Sequence, residues 1–311
     1  MISKENVYAA ILGGIVADAL GVPYEFKSRE DMQKDPATKM TNGGVHNQPT
    51  GTWSDDSSMT LATMDSLING VNYEDMISKF CAWIFEAEYT PHDDVFDYGK
   101  TTYRALRNFR EESMDPLDCG LTGERDNGNG SLMRIMPAIL YAYANEFIPE
   151  EKSEFINNVS SLTHAHPISQ ASCNIYRFVV EQILENPGED FKIIITNAID
   201  KSREFYENED FECFYNIYND LFHMSENELS SRGYVVYALE IALYSCYHTD
   251  SYKDAVLKAV NYGDDTDTNG IITGGLAALY YGFNSIPEEW LEQIVKLDYI
   301  EGLCDEFYDS L

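Results

Sequence analysis

The chain has 311 residues, 44% of them hydrophobic, enough to bury a sizeable core in one large domain or two small ones and too many for a disordered or fibrous protein. Its 53 Asp and Glu against 21 Lys and Arg leave a formal charge of -32. Such an excess repels nucleic-acid phosphates and the anionic inner leaflet, so cations, metals and small molecules are the expected partners, with no nucleic acid and no membrane.

In chain order, Tyr8, Ile11, Leu12, Ile15 and Ala19 recur at helical period and predict a first helix. Asp18 interrupts this apolar stretch, and Lys4 and Glu5 precede it, which argues against a cleaved signal; no run of about 18 uncharged apolar residues predicts a spanning helix. A loop over 27–53 follows, then helices at 57–69, 73–88 and 97–110. After a second loop over 112–130, helices are predicted at 131–145, 151–161, 167–185, 191–205 and 210–221. Val235, Val236, Leu239, Ala242, Leu243 and Tyr247 mark another, and stretches at 252–260, 269–281 and 287–296 complete the series. The acids Glu301, Asp305, Glu306 and Asp309 suggest a solvated face. Strand-like alternation is scarce, so the pattern predicts an all-α fold, and nothing marks a domain boundary within residues 1–311. Six scattered cysteines at no metal-ligand spacing predict reduced thiols in a cytoplasmic protein.

Two acidic clusters stand out. Gly51-Thr-Trp-Ser-Asp-Asp-Ser-Ser-Met59 and Gly263-Asp-Asp-Thr-Asp-Thr-Asn-Gly270 each precede a predicted helix. One explanation is N-capping, because Ser, Thr and Asp accept bonds from the free amides of a first turn. Capping needs only one or two oxygens, and both clusters supply more. Crowded carboxylates raise one another's pKa unless a cation neutralises them, and an all-oxygen donor set suits Mg²⁺, Mn²⁺ or Ca²⁺. Asp265 and Asp267, two apart, are expected to precede the helix proper if they point the same way. Should the clusters meet, Asp55, Asp56, Asp265 and Asp267 bring four charges that two divalent ions would balance. Should they not meet, each is an acidic loop.

These residues belong to an ordered series spanning residues 8 to 295. It contains Gly14-Ile-Val-Ala-Asp-Ala-Leu-Gly-Val-Pro-Tyr-Glu-Phe26, the Trp-Ser-Asp-Asp-Ser segment at 53–57, Phe96-Asp-Tyr-Gly-Lys-Thr-Thr102 and Asn127-Gly-Asn-Gly-Ser-Leu-Met-Arg-Ile-Met-Pro137. Thr163-His-Ala-His-Pro167, Gly233-Tyr-Val-Val236, the Asp-Thr-Asp-Thr run at 265–268 and Gly274-Gly-Leu-Ala-Ala-Leu-Tyr-Tyr-Gly282 follow. In this order the series resembles the ADP-ribosylglycohydrolase family. The resemblance implies a single-domain helical fold with a binuclear site for two Mg²⁺, or Mn²⁺, that cleaves the glycosidic bond between ADP-ribose and an acceptor. It implies metal ligands at Ser54, Asp55, Asp56, Asp265, Asp267 and Thr268, with catalytic roles for Glu25 and Asp56. It further implies an ADP-ribose cleft lined by Asp97, Tyr98, Gly99, Asn129, Gly130, Ser131, Met133, His164 and Tyr234. Ser54 stands where that family commonly has Thr, keeping the hydroxyl, and Asp264 stands where Gly is usual, adding a charge beside the site.

Read alone, the Asn127–Ser131 turn is either a plain turn and cap or a set of amides for a pyrophosphate at the start of the 131–145 helix. Arg134 is expected to pair with an acid such as Asp126, the alternative being a charge lent to the cleft. His164 and His166 lie in an extended or turn segment before Pro167; either suits a structural hydrogen bond, and the resemblance places His164 at the ligand. The competing functions are a catalytically silent ADP-ribose-binding relative and a two-metal diphosphate enzyme. The latter needs Asp-Asp-x-x-Asp/Glu, and position 59 is Met.

Overall fold

A computed structural model describes residues 2–209 and 211–311. Its α-helices are α1 (Lys4–Gly21), α2 (Arg29–Lys34), α3 (Asp55–Leu67), α4 (Tyr73–Glu86), α5 (Lys100–Glu112), α6 (Met136–Ala144), α7 (Pro149–Ser161), α8 (Pro167–Glu185), α9 (Phe191–Phe205), α10 (Tyr215–Asn219), α11 (Val235–Tyr247), α12 (Tyr252–Val260), α13 (Thr266–Tyr281), α14 (Glu288–Leu291) and α15 (Leu297–Ser310). Among the described residues there is no sheet, only isolated bridges such as Gly128 to Tyr234. The fold is all-α.

The centre is α1 against α13, helices from opposite ends of the chain. Ser3 starts α1 with a capping box to Asn6, and from Ala9 to Gly21 every residue is buried. A helix apolar on all sides belongs inside. The stretch Lys4–Tyr24 is long and apolar enough to cross a membrane by length and composition alone, although Asp18 leaves it without an uncharged run of that length, and 94% of its apolar 18-residue window is buried within the protein. Small residues let the two backbones touch. A Cβ on Gly13 would lie 2.2 Å from that of Ala278, and one on Gly274 would lie 2.3 Å from the Gly13 carbonyl oxygen. Tyr252 of α12 donates to that same carbonyl at 2.7 Å. Helices α3, α6, α8, α11 and α15 pack around this pair.

Several boundaries differ from expectation. Helix α6 begins at Met136, not at 131, because Pro137 has no N–H and fits a first turn but not a helix interior; Asn129–Ser131 form a separate 3₁₀ turn. Helices α3 and α13 start two and three residues early, so Asp55, Asp56 and Asp267 lie inside their first turns while Ser54 and Asp265 stand at the N-caps. The stretch expected at 210–221 is helical at 212–219, and Asp210 lies outside the described residues. Helix α14 is a single turn, α2 occupies the loop over 27–53, and α15 forms where only a solvated face was expected. Ile300, Leu303, Cys304 and Phe307 of α15 bury one stripe, and Asp305 accepts from the Tyr8 hydroxyl of α1 at 2.6 Å.

Candidate active site

Three helix ends converge. Just past α1, a 3₁₀ turn presents Glu25; the start of α3 presents Ser54, Asp55 and Asp56; the start of α13 presents Asp265, Asp267 and Thr268. Ser54 is the N-cap of α3, its hydroxyl accepting from the Asp56 amide at 3.3 Å and donating to Asp56 Oδ2 at 2.9 Å. The capping explanation is therefore correct for Ser54, and it does not exhaust the cluster. Thr268 donates to the same Asp56 Oδ2 at 3.3 Å, joining residues 212 positions apart. Glu25, Asp265 and Asp267 bring carboxylate oxygens within 4.8 Å of one another. Asn129 donates to Asp265 Oδ2 at 2.8 Å and fixes its orientation. The two acidic segments meet, and Asp267 does so from within the helix, its direction set by the first turn and not by extended backbone.

Burial makes this meeting electrostatically extreme. Asp56 and Asp267 are each 1% exposed and Asp55 8%. Burial first, then neighbouring carboxylates, hold all three far above the ordinary aspartate range. Asp265 is raised by burial against the bond from Asn129. Among the described residues no Lys or Arg pairs with any of the four, and Asp56 Oδ1 is buried with no hydrogen-bond partner. Uncompensated buried carboxylates cost several kcal/mol each. An orphaned oxygen among hard oxygen donors is what a divalent cation site of the Mg²⁺ type requires, so these residues fit such ions.

Two participants were not singled out from sequence. Asp18, fully buried in α1, accepts from the amides of Ser54 at 3.0 and 3.1 Å and of Ser57 at 3.2 Å, and from the Ser57 hydroxyl. It clamps the first turn of α3 in place; burial raises its pKa to about 6 against the pull of these bonds. Its signal was visible as a lone charge inside an apolar helix. His46 left no comparable signal. It sits in the 27–53 loop, and its Nε2 lies 2.5 Å from Glu25 Oε2, its ring packed against Phe96. Burial raises Glu25 to about 7, opposed by His46.

A cleft of about 320 Å³ opens above the acids. Glu25, Asp55, Asp265 and Thr268 line it together with Asp97, Tyr98, Gly99, Asn129, Gly130, Met133 and His164. Ser54, Asp56 and Asp267 lie beneath this surface. Ser131 is wholly buried behind it and takes a bond from Ser160 Oγ at 2.9 Å, and Tyr234 packs edge-on against Tyr237 outside the lining. His166 turns away to cap α8, its Nδ1 accepting from the Ile168 amide. Asp264 adopts φ 56°, the left-handed backbone that favours glycine, and its carboxylate takes a bond from Ser231 at 3.0 Å, away from the cleft. Arg134 makes no ion pair with Asp126, which faces Arg104 at 3.7 Å. It lies instead over the Phe80 ring and donates to Val159 O and Thr163 Oγ1. A larger cavity, about 830 Å³, lies between Tyr89 and Tyr299, and none of the acidic motif reaches it.

Known proteins resemble this chain along nearly its whole length. A family model described as ADP-ribosylglycohydrolase matches residues 2–311. The ADP-ribosylarginine hydrolase Tri1 of Serratia proteamaculans (strain 568) is 26% identical over 98% of this chain and 80% of its own. The ADP-ribosyl-[dinitrogen reductase] glycohydrolase of Rhodospirillum rubrum is 28% identical over 93% and 90%. A solved structure titled ADP-ribosylglycohydrolase-related protein complex superposes with a TM-score of 0.82 at 26% identity, covering 99% of this chain and 98% of that one.

Proposed function

Because the chain belongs to the ADP-ribosylglycohydrolase family, we propose that its cleft takes ADP-ribose joined to a guanidinium acceptor, with two Mg²⁺ held by Ser54, Asp55, Asp56, Asp265, Asp267 and Thr268. The protein is an ADP-ribosyl hydrolase, and the observation that carries the finer reading is the convergence of Asp55 and Asp56 with Asp265 and Asp267 under one cleft. Breaking the ribosyl bond develops positive charge on the sugar and leaves the departing nitrogen in need of a proton. When bound, such ions supply orientation of the ribose hydroxyls and activation of water.

The chain's own groups prepare the rest. Asp18 fixes the first turn of α3 through three donors, and Asn129 fixes Asp265, so the oxygen cage is preorganised by its outer partners. Glu25 lines the cleft with His46 against its Oε2 and is the carboxyl group placed for proton transfer. Asp56, beneath the surface, is placed to hold an ion and not to meet substrate. Lys100 and the Gly128–Gly130 turn offer a positive and an amide-lined wall for the pyrophosphate. Glu25 and Asp97, with the exposed rings of Phe26 and Tyr98, make a rim suited to a planar cation, which supports arginine as the modified residue. The named activity of the Serratia relative supports the same choice. All six cysteines are unpaired, which supports a reducing, cytoplasmic setting.

The test is a panel of ADP-ribosyl conjugates of arginine, serine and a nucleobase, followed by release of free ADP-ribose. Release from the arginine conjugate with Mg²⁺ is expected, abolished by EDTA and reduced more than ~100-fold in Asp55→Ala and Asp267→Ala, beyond the cost of losing an outer partner. Full turnover in chelator or in both variants contradicts the metal assignment; release from serine alone contradicts the acceptor.

A further inference from the structure

His164 reaches the cleft from a buried chain of donors. Arg134 Nη2 lies 2.8 Å from Thr163 Oγ1, and Thr163 Oγ1 lies 2.8 Å from His164 Nδ1. A guanidinium has no acceptor atom, so the threonine oxygen must accept from Arg134. The hydroxyl hydrogen is then left with His164 Nδ1, which has to be the unprotonated nitrogen. Reversing that bond would strand a hydroxyl hydrogen in a site with no exposure, at the cost of an unmade buried hydrogen bond.

From this geometry we propose that Arg134 and Thr163 are positioning residues which lock His164, the histidine that the family resemblance already places at the ligand, as the neutral tautomer with its proton on Nε2, so that the ring meets the cleft as a fixed N–H donor. Three further observations bear on it. The ring edge faces Gly128 and Gly130, where a Cβ would come within 3.5 and 3.4 Å of Nε2, and Nε2 has no protein partner among the described residues. Arg134 is fully buried and pairs with no carboxylate among the described residues, its Nε and Nη1 unpartnered, so its charge acts across the turn onto the cleft and, with Lys100, favours an anionic ligand among many acids. Burial and the Arg134 charge together hold His164 down to about 3, so the ring stays a neutral donor through the working pH range. The identity of the ligand as ADP-ribose rests on the proposed function; the tautomer does not.

The experiment is long-range ¹H–¹⁵N correlation of imidazole nitrogens in the full-length protein, with the His164 signals assigned by their loss in His164→Gln. A pyridine-type Nδ1 and a protonated Nε2, unchanged from pH 5.5 to 8, are expected; a protonated Nδ1, or titration in that range, overturns the proposal. Thr163→Val should release the tautomer and raise KM for the ADP-ribosyl substrate roughly 10-fold, the scale of one hydrogen bond, with kcat little changed. Thr163→Ser should restore both. A valine variant with wild-type spectrum and KM, or a folded serine variant that rescues neither, overturns it. Because the spectrum needs no substrate, failure of the tautomer is distinguishable from a wrong substrate.

Discussion

A carboxyl group inside a protein is settled by what lies within a few ångströms of it, and three such groups here are settled differently. Asp18 is satisfied by Ser54 and Ser57. Asp56 keeps one buried oxygen without a hydrogen-bond partner. Glu240 of α11, 3% exposed and bonded to Asn216 at 3.1 Å, pairs with no Lys or Arg among the described residues, and burial raises it to about 7. Its folded pKa lies above the unfolded value near 4.5, so the stability it contributes is complete below that value and is lost as pH rises through about 7. Ionisation then costs about 3 kcal/mol at 1.36 kcal/mol per unit. Glu240→Gln should accordingly gain on the wild type in thermal denaturation as pH goes from 4.5 to 7.5. A gap that stays constant over that range would show the carboxyl to be unperturbed. At this scale the sequence marked Glu25 and the residues of both acidic clusters, which the fold brings together, since residue types and order suffice for that. It did not carry His46 or the isolation of Arg134, because both depend on which loop or ring folds over them.

At the scale of elements, the seam between α1 and α13 sets where the acids meet. Gly21 closes α1 against the first turn of α13; a Cβ there would lie 2.5 Å from Asp267 Cα. Gly21→Ala should destabilise the protein by ~1–3 kcal/mol through overpacking and also weaken ion binding, because the displaced turn carries Asp267. Gly274→Ala, crowding the Gly13 carbonyl oxygen at 2.3 Å on the same seam but two turns from the acids, should cost stability and spare ion affinity. Denaturant melts with calorimetric Mn²⁺ titration separate the two; equal losses of affinity in both variants would remove the seam from any special role. Periodicity was enough to find long helices such as α8 and α9, whose expected limits match those observed. It misplaced α3 and α13 at their acidic ends, where Asp and Thr read as loop before they read as first turn. It passed over α15, although Ile300, Leu303, Cys304 and Phe307 have helical spacing, because the intervening acids suggested only a solvated face.

For the whole molecule, the -32 charge and the fold answer one another. Most acids repel at a distance in water, where salt screens them within about 10 Å, but the carboxylates gathered under the cleft are shielded from solvent and add their repulsion directly. A chain whose N- and C-terminal parts both supply that cluster is held as one unit by whatever neutralises it, and we expect residues 1–311 to melt in one transition that moves upward with divalent cation. The decisive measurement is an anomalous difference map from crystals grown with Mn²⁺. Two peaks in the space shared by Asp55, Asp56, Asp265 and Asp267 are predicted, both lost in Asp267→Asn crystals. A map empty there at saturating Mn²⁺, or peaks confined to the outer surface, would contradict the account.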